Sequence, residues 1–427
     1  MDKTYTNPIW HPFTQMASAA APIHIESAKG CILFGQDGKT YIDAVSSWWV
    51  NIHGHANPMI AQRIAEQALK LEHVIFAGFT HTPAIDLANA LLRILPDSMA
   101  KIFFSDNGST AVEVAIKMAL QYWYNQGVRN KTKIIAFENA YHGDTFGAMS
   151  VGGRGAFNAA FAQHLFHVDY IPVPNADNIL HVQEQFEALT ASSEVAAFIF
   201  EPLVQGAGGM LMHKAEHLDQ LVQMARQKKV LCIADEVMTG FGRTGKNFAT
   251  EYLSNQADIM CLSKGITGGF MPLGVTACSQ DIFNSFYAME VDKTFFHGHS
   301  YTGNPLACAA ANASMDILVS EDCQNNIKAI GLSHARFAET LKNEVLIKDI
   351  RQQGTILAIE LKTAEGSSYF NHIRDEIYQF SLAHGVLLRP LGNIIYIMPP
   401  YCILQEELEK IYEVITLFIH HLNSKKN

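Results

Sequence analysis

Val230-Leu-Cys-Ile-Ala-Asp235-Glu236 and Ile259-Met-Cys-Leu-Ser263-Lys264-Gly265 are the two stretches that decide the fold. Each is a short apolar run of β-compatible residues bounded by turn formers. That is the pattern of a strand buried on both faces within a parallel sheet. In an open α/β sheet the carboxyl ends of such strands face the ligand crevice. The two runs therefore bring a carboxylate, Asp235, and an amine, Lys264, to one crevice.

Outward from this pair the pattern alternates. Strands are predicted at 101–105, 133–138 and 195–201, with helices at 109–126 and 215–228, which implies parallel pairing with right-handed crossovers. Upstream, strands near 31–34 and 40–43 flank the turn Gly35-Gln-Asp-Gly38, and helices follow near 57–71 and 83–95. After about residue 320 the order changes to a helix near 321–344, strands near 355–361, 386–390 and 394–398, and helices near 368–383 and 404–421. The expected class is α/β, a large domain with a mostly parallel central sheet plus a smaller α+β domain. The expected division is an N-terminal segment 1–55, a large domain 56–320 and a C-terminal small domain 321–427. The N-terminal segment joins the small domain.

The chain has 427 residues, 48% hydrophobic and 17% charged, against about a quarter charged in ordinary domains. Such a low share implies a large buried interior, with room for a subunit interface. A net charge of −10 and no basic block argue against a nucleic-acid or anionic-membrane partner. The start has no apolar leader and no run is long enough to span a bilayer. Seven cysteines, odd in number and without a CxxC pair, read as reduced thiols of a cytoplasmic protein.

An amine and a carboxylate on neighbouring strand ends suit pyridoxal phosphate, which needs a lysine for its Schiff base and an acid for its pyridinium nitrogen. The lysine works as a base only where burial or a neighbouring cation lowers its pKa. Singly, Lys264 reads as a surface residue and Asp235 as a helix cap; together they favour the cofactor. Ser105-Asp-Asn-Gly108-Ser109-Thr110, between a strand and a helix, reads as a phosphate site at a helix N-terminus or as a plain N-cap. Tyr141, after strand 133–138, offers a ring to stack on a pyridine. Glu201-Pro-Leu-Val-Gln205-Gly206 follows another strand with polar groups able to meet a ring hydroxyl.

Other motifs lead elsewhere. Gly240-Phe-Gly242-Arg-Thr-Gly245-Lys246 nearly matches a nucleotide-binding P-loop, but Asn247 stands where Ser or Thr must hold magnesium. As a dinucleotide fingerprint it lacks an acid at the end of the next strand, since Asp258 precedes that strand. A P-loop-like nucleotide-binding protein is thus the alternative from another class. His53-Gly-His55 and His297-Gly-His299 lack further ligands at metal-site spacing, so no metal is expected.

The run from Asp235 through Glu236-Val-Met-Thr-Gly-Phe-Gly-Arg-Thr-Gly245, with Ser263-Lys264-Gly265, resembles the class III pyridoxal-phosphate aminotransferases of fold type I. Ile9-Trp-His-Pro-Phe-Thr-Gln-Met16, Ser46-Ser-Trp-Trp49, Tyr141-His-Gly-Asp-Thr-Phe-Gly-Ala-Met149 and Arg389-Pro-Leu-Gly are similar to one branch. That branch converts 8-amino-7-oxononanoate to 7,8-diaminononanoate in biotin synthesis. The resemblance covers nearly the whole chain.

It implies a ping-pong transamination by a homodimer with shared active sites. Lys264 would be the Schiff-base and proton-shuttling lysine, Asp235 the pyridinium partner, Gly108 and Ser109 the phosphate donors, and Tyr141 the stacking ring. His299 and Ser300 would close the phosphate site of the other subunit, with Gly298 beside the substrate. Phe13 and Trp48 would line the substrate channel, Arg389 would bind the oxononanoate carboxylate, and Arg243 would add a second cation. The chain departs from the family in two places. Phe13 stands where tyrosine is common, and Gly298-His-Ser-Tyr-Thr302 replaces a Pro-Thr segment, leaving Ser300, favoured, or Thr302 as hydroxyl donor. The donor implied is S-adenosylmethionine, with lysine as the alternative. Within the family, an aminotransferase acting on ornithine, 4-aminobutyrate or another ω-amine is the rival, disfavoured by the aromatic bulk of Trp48-Trp49.

Overall fold

The computed structural model describes residues 8–155 and 157–426. The N-terminal part holds strands β1 (Ile25–Lys29), β2 (Ile32–Gly35) and β3 (Thr40–Asp43). Then come β4 (Met99–Ser105), β5 (Lys133–Phe137), β6 (Asp169–Ile171) and β7 (Val195–Phe200), and the ribbon of β8 (Val204–Gln205) and β9 (Leu211–Met212). β10 (Leu231–Asp235), β11 (Ile259–Leu262) and β12 (Gly274–Ser279) follow, then β13 (Ile347–Gln353), β14 (Ile356–Leu361), β15 (Val386–Leu387) and β16 (Ile394–Ile397).

The central sheet has seven strands in the order β4-β12-β11-β10-β7-β5-β6. β7, β10 and β11 are buried along their whole length, which is why they read as unbroken apolar runs. Pairing among β11, β10, β7, β5 and β6 is parallel, as the strand–helix alternation predicts. β12 is the exception and runs antiparallel to both β11 and β4. Its connection from β11, residues 263–273, contains only a short 3-10 turn, Lys264–Thr267, and is too short for a helical crossover.

The helix Gly108–Asn125 starts from a capping box, with the Asn107 side chain accepting from Thr110 N and the Thr110 hydroxyl accepting from Asn107 N. It buries Val112, Ile116 and Ala119 against the sheet, while Leu120 and Trp123 pack at the margin.

β15 pairs parallel with β3, so N- and C-terminal segments share one four-stranded sheet, β1-β2-β3-β15. β13, β14 and β16 make a separate antiparallel sheet. The helix Glu321–Leu341 ties the parts together. Its Cys323, Ile327 and Ile330 join the core of the central sheet, while Phe337 and Leu341 join the core of the C-terminal sheet. Several elements lie outside the sequence reading: β1, β6, β12, β13 and the helices Ile179–Thr190 and Pro305–Leu318. The strand expected over 386–390 keeps only Val386 and Leu387, so Arg389 lies beyond the sheet.

Candidate active site

β4 runs in the same direction as the parallel strands, and β4, β5, β7, β10 and β11 end at one edge of the central sheet, where residues at or after each line a single cavity of about 710 Å³. Gly108 and Ser109 come after β4, Tyr141 and His142 after β5, Glu201 after β7, Asp235 closes β10, and Lys264 follows β11. Trp49, from the N-terminal segment, closes one side. The strand-end rule thus assembles residues far apart in sequence.

Asp235 is buried. Its Oδ1 accepts from Val237 N at 3.0 Å and its Oδ2 from His142 Nδ1 at 2.6 Å. Glu201 is also buried, with Oε1 accepting from Tyr141 N and Oε2 from Gly206 N. Burial pushes its carboxyl up to about 7. Lys264 takes a positive φ of 46° and places Nζ 4.6 Å from the Trp49 ring centre. Burial lowers its pKa to about 8; Asp235 and Glu201 oppose the shift and the Arg243 cation adds to it.

The other end of the cavity is a helix N-terminus. Ser109 Oγ accepts from Thr145 N at 3.0 Å and lies 2.8 Å from the Thr145 hydroxyl. Two glycines keep the cradle open. A Cβ on Gly143, whose φ is +127°, would sit 2.3 Å from Ser109 Oγ, and one on Gly108 would sit 2.6 Å from a Val237 methyl. The groups fit pyridoxal phosphate: amides and hydroxyls at a helix N-terminus for the phosphate, Tyr141 beside the ring, Asp235 for its nitrogen and Lys264 for its carbonyl carbon.

The remaining expected residues fall into three places. Phe13, Trp48 and Arg389 form a cluster that is not part of the cavity lining, with Phe13 meeting Trp48 edge-to-face at 5.5 Å between ring centres and the Arg389 guanidinium 4.2 Å over Trp48. Arg389 has no carboxylate partner among the described residues. Arg243 is 1% exposed and does not line the cavity. Its Nη1 donates to Pro399 O and its Nη2 to Trp49 O, so its influence reaches the site through the Lys264 pKa. Gly298, His299 and Ser300 are absent from the lining among the described residues. Their segment runs over the helix Gly108–Asn125, where Lys117 Nζ meets His297 Nδ1 at 3.0 Å. Thr302 spends its hydroxyl on His299, donating to O and accepting from N, whereas Ser300 is exposed.

The local fold at the tryptophans is unusual. Ser46, Ser47, Trp48 and Trp49 all have positive φ, yet Trp49 N donates to Val45 O and Val50 N to Ser46 O. This is one turn of left-handed helix without glycine, which costs roughly 1–2 kcal/mol per residue. Asp43 offsets it, accepting from Val45 N, Ser47 N, Ser47 Oγ and His55 Nε2. Trp49 Nε1 donates to Tyr396 OH at 3.0 Å.

Sequence reasoning missed His142 as a site residue, and it read Trp49 only as aromatic bulk beside Trp48, not as the ring over Lys264. His142 had a signal, since it follows Tyr141 at a strand end. The turn Gly240–Gly245 opens no helix, is buried through Thr244 and packs against Gly354, so it is a structural loop. Glu236 anchors it, accepting from Thr239 Oγ1, Ala249 N and Thr250 N. His53 Nε2 lies 3.0 Å from both Ser314 O and Oγ, and burial lowers its pKa to about 3. Among the described residues no group of three His, Cys, Asp or Glu is placed to hold a metal, and no helix is long and apolar enough to cross a membrane.

The family model for aminotransferase class-III matches residues 14–419. The adenosylmethionine-8-amino-7-oxononanoate aminotransferase of Synechococcus elongatus is 48% identical, over 95% of this chain and 97% of that relative. The crystal structure of the enzyme of that name from Methanocaldococcus jannaschii is 36% identical, covers 96% of this chain and 97% of its own, and superposes with a TM-score of 0.89. An amine transaminase from an uncultivated Pseudomonas species, in a PLP-bound form, is 31% identical with a TM-score of 0.90 over 96% of this chain and 98% of its own. With this coverage and a crevice whose groups fit the cofactor, the chain belongs to the class III aminotransferases, and it is a pyridoxal-phosphate enzyme.

Proposed function

We propose that this enzyme aminates 8-amino-7-oxononanoate to 7,8-diaminononanoate in biotin synthesis, with S-adenosylmethionine as donor, as a cytoplasmic homodimer with shared active sites. The observation that carries the reading is the Phe13–Trp48–Arg389 cluster. It offers aromatic surface for a long aliphatic chain and ends in a guanidinium with no carboxylate partner among the described residues, as an ω-carboxylate substrate requires. The names of the relatives support the same substrate.

Bound pyridoxal phosphate supplies the electron sink that makes a proton on the amine-bearing carbon removable. The chain's own groups do the rest. With its pKa near 8, Lys264 Nζ is neutral in about a tenth of molecules at pH 7, far more than an ordinary lysine, and can take that proton and deliver it in the return half-reaction. Asp235, oriented by His142 and Val237 N, would take the ring nitrogen. Gly108 and Ser109 would hold the phosphate, and Tyr141 would lie beside the ring. Trp49 shields the amine from water. Arg243 pins Trp49 and Pro399 and keeps Lys264 from holding its proton too firmly. The division proposed is a large domain over residues 56–320 and a small domain built from residues 1–55 and 321–427.

Support for a dimer comes from the face carrying residues 287–301. Met289, Phe296 and Tyr301 are 96%, 70% and 66% exposed there, more apolar surface than an isolated chain usually leaves to water. Ser300 stands on this face with an uncommitted hydroxyl, and His299 Nε2 is buried without a partner. In a second copy these groups would reach the phosphate end, beside Gly298 at the substrate.

Arg389→Ala separates the half-reactions. It should weaken the oxononanoate half-reaction by about 10- to 100-fold in apparent affinity, the worth of a charge-assisted bond, and leave the donor half-reaction unchanged. Equal damage to both would remove Arg389 from the carboxylate. Single-turnover spectra with S-adenosylmethionine and with lysine decide the donor. Rapid turnover by lysine alone would favour the alternative, which Phe13 supports because it offers no hydroxyl to a polar donor.

A further inference from the structure

Two cysteines from opposite ends of the chain meet at one point. Cys31 lies in the turn between β1 and β2, and Cys402 follows Pro399-Pro-Tyr401 after β16. Their sulfurs are 3.9 Å apart. Cys31 is 1% exposed whereas Cys402 is open to solvent. No other pair of cysteine sulfurs is within hydrogen-bonding reach among the described residues, and the other five are buried singly. The Cys402 sulfur is seated by Gly54, where an added Cβ would stand only 2.4 Å away, so the backbone itself forms the wall behind it. Gly30 and His55 exchange backbone hydrogen bonds at 3.1 and 2.7 Å and hold that wall against the Cys31 turn.

We propose that this pair is an oxidative modification site: a hydroperoxide oxidises Cys402, and Cys31 resolves the product into an intramolecular disulfide. The Cys402 sulfur attacks the terminal oxygen of the hydroperoxide and the O–O bond breaks. Sulfur gives up two electrons to become a sulfenic acid, and the other oxygen leaves as alcohol, or as water from hydrogen peroxide, with the thiol proton. The Cys31 sulfur then attacks the Cys402 sulfur. The S–S bond forms, the S–O bond breaks, and hydroxide leaves with the Cys31 proton as water. Two thiols and one hydroperoxide thus give one disulfide, one alcohol and one water.

The asymmetry of the pair sets the order of events. The exposed member meets the oxidant, and its hydrogen bond with Cys31 holds the Cys402 thiol below the usual range. The buried member keeps its proton, pushed up by that same bond and then by burial. An accessible, more acidic thiol beside a resolving one is the arrangement that favours sulfenic acid followed by disulfide over irreversible oxidation. Forming the bond needs the sulfurs to close from 3.9 Å to about 2.05 Å. The cross-link would staple the N-terminal hairpin to the segment after β16. Cys31 O accepts from Asp43 N and Tyr401 N donates to Ile52 O, each at 2.7 Å, so both anchors border the turn that holds the tryptophans.

Treating the full-length cofactor-loaded enzyme with equimolar hydrogen peroxide tests this. The thiol titre under denaturing conditions should fall from seven to five per chain. A Cys31–Cys402 linked peptide should appear in non-reducing maps and vanish with dithiothreitol. Cys31→Ser should leave Cys402 as a sulfenic acid that dimedone traps, while Cys402→Ser should give neither cross-link nor adduct. Oxidised wild type should melt higher than reduced, and neither variant should show that shift. A cross-link between chains, a first adduct on a buried cysteine, or an unchanged titre at a dose that oxidises free cysteine in the same tube would overturn the proposal.

Discussion

His142 Nδ1 donates to Asp235 Oδ2 across 2.6 Å with both side chains buried, so the acid proposed to face the cofactor is itself held from behind by a second ionisable group. Burial alone would lower the His142 pKa. The Asp235 bond, with the charges of Asp235 and Glu201, outweighs burial and raises it. A histidine raised above its unfolded value of about 6.5 stabilises fully below that pH, and the contribution is lost as pH rises through the folded pKa. His142→Phe should therefore cost about 3–5 kcal/mol in cofactor-free protein at low pH, the penalty for stranding a buried charge, and less at alkaline pH. Urea unfolding at about pH 6 and about pH 9 measures the difference. Equal losses at both would mean that packing, not charge, is what the ring supplies.

Lys264 gives a second prediction. Its pKa near 8 comes first from burial, with Arg243 adding and Asp235 and Glu201 opposing. Only the neutral amine is a nucleophile, so the rate at which cofactor-free enzyme takes up pyridoxal phosphate should climb with pH and level off above about 8. Borohydride should fix the cofactor to Lys264 in peptide maps, and Lys264→Ala should lose turnover entirely. A plateau displaced toward the ordinary lysine range would show that the amine is more hydrated than the cavity implies.

Mixing subunits tests the shared site. Lys264→Ala and Ser300→Asp homodimers should each be inactive. Their mixture should regain activity, because one site of the mixed dimer draws Lys264 and Ser300 from wild-type positions. Absence of recovery, with subunit exchange verified by mass, would place Ser300 in its own chain's site.

The crevice was legible because it is built from strand ends. β7, β10 and β11 are uniformly apolar, so Asp235 and Lys264 could be placed at one edge by the strand-end rule alone. β12 was not, since Gly274-Val-Thr-Ala-Cys-Ser carries no mark of direction and its polarity follows from the length of the preceding connection. The Ser46–Trp49 turn was invisible for a different reason. Positive φ is ordinarily signalled by glycine, and here the conformation is imposed by Asp43 and His55 through contacts that no local pattern encodes. The role of Arg243 was obscured likewise, because its carbonyl partners, Trp49 and Pro399, come from distant segments.

The left-handed turn at Ser46–Trp49 bears on how this enzyme can be improved. Methods that raise melting temperature by relieving local conformational penalties will find these positions first, since no glycine there absorbs the cost. Yet relaxation there would let Trp48 swing away from Arg389 and Trp49 from Lys264, trading discrimination among substrates for robustness. Thermal hardening is better directed to the C-terminal sheet, leaving the tryptophan turn as the place where substrate range is tuned.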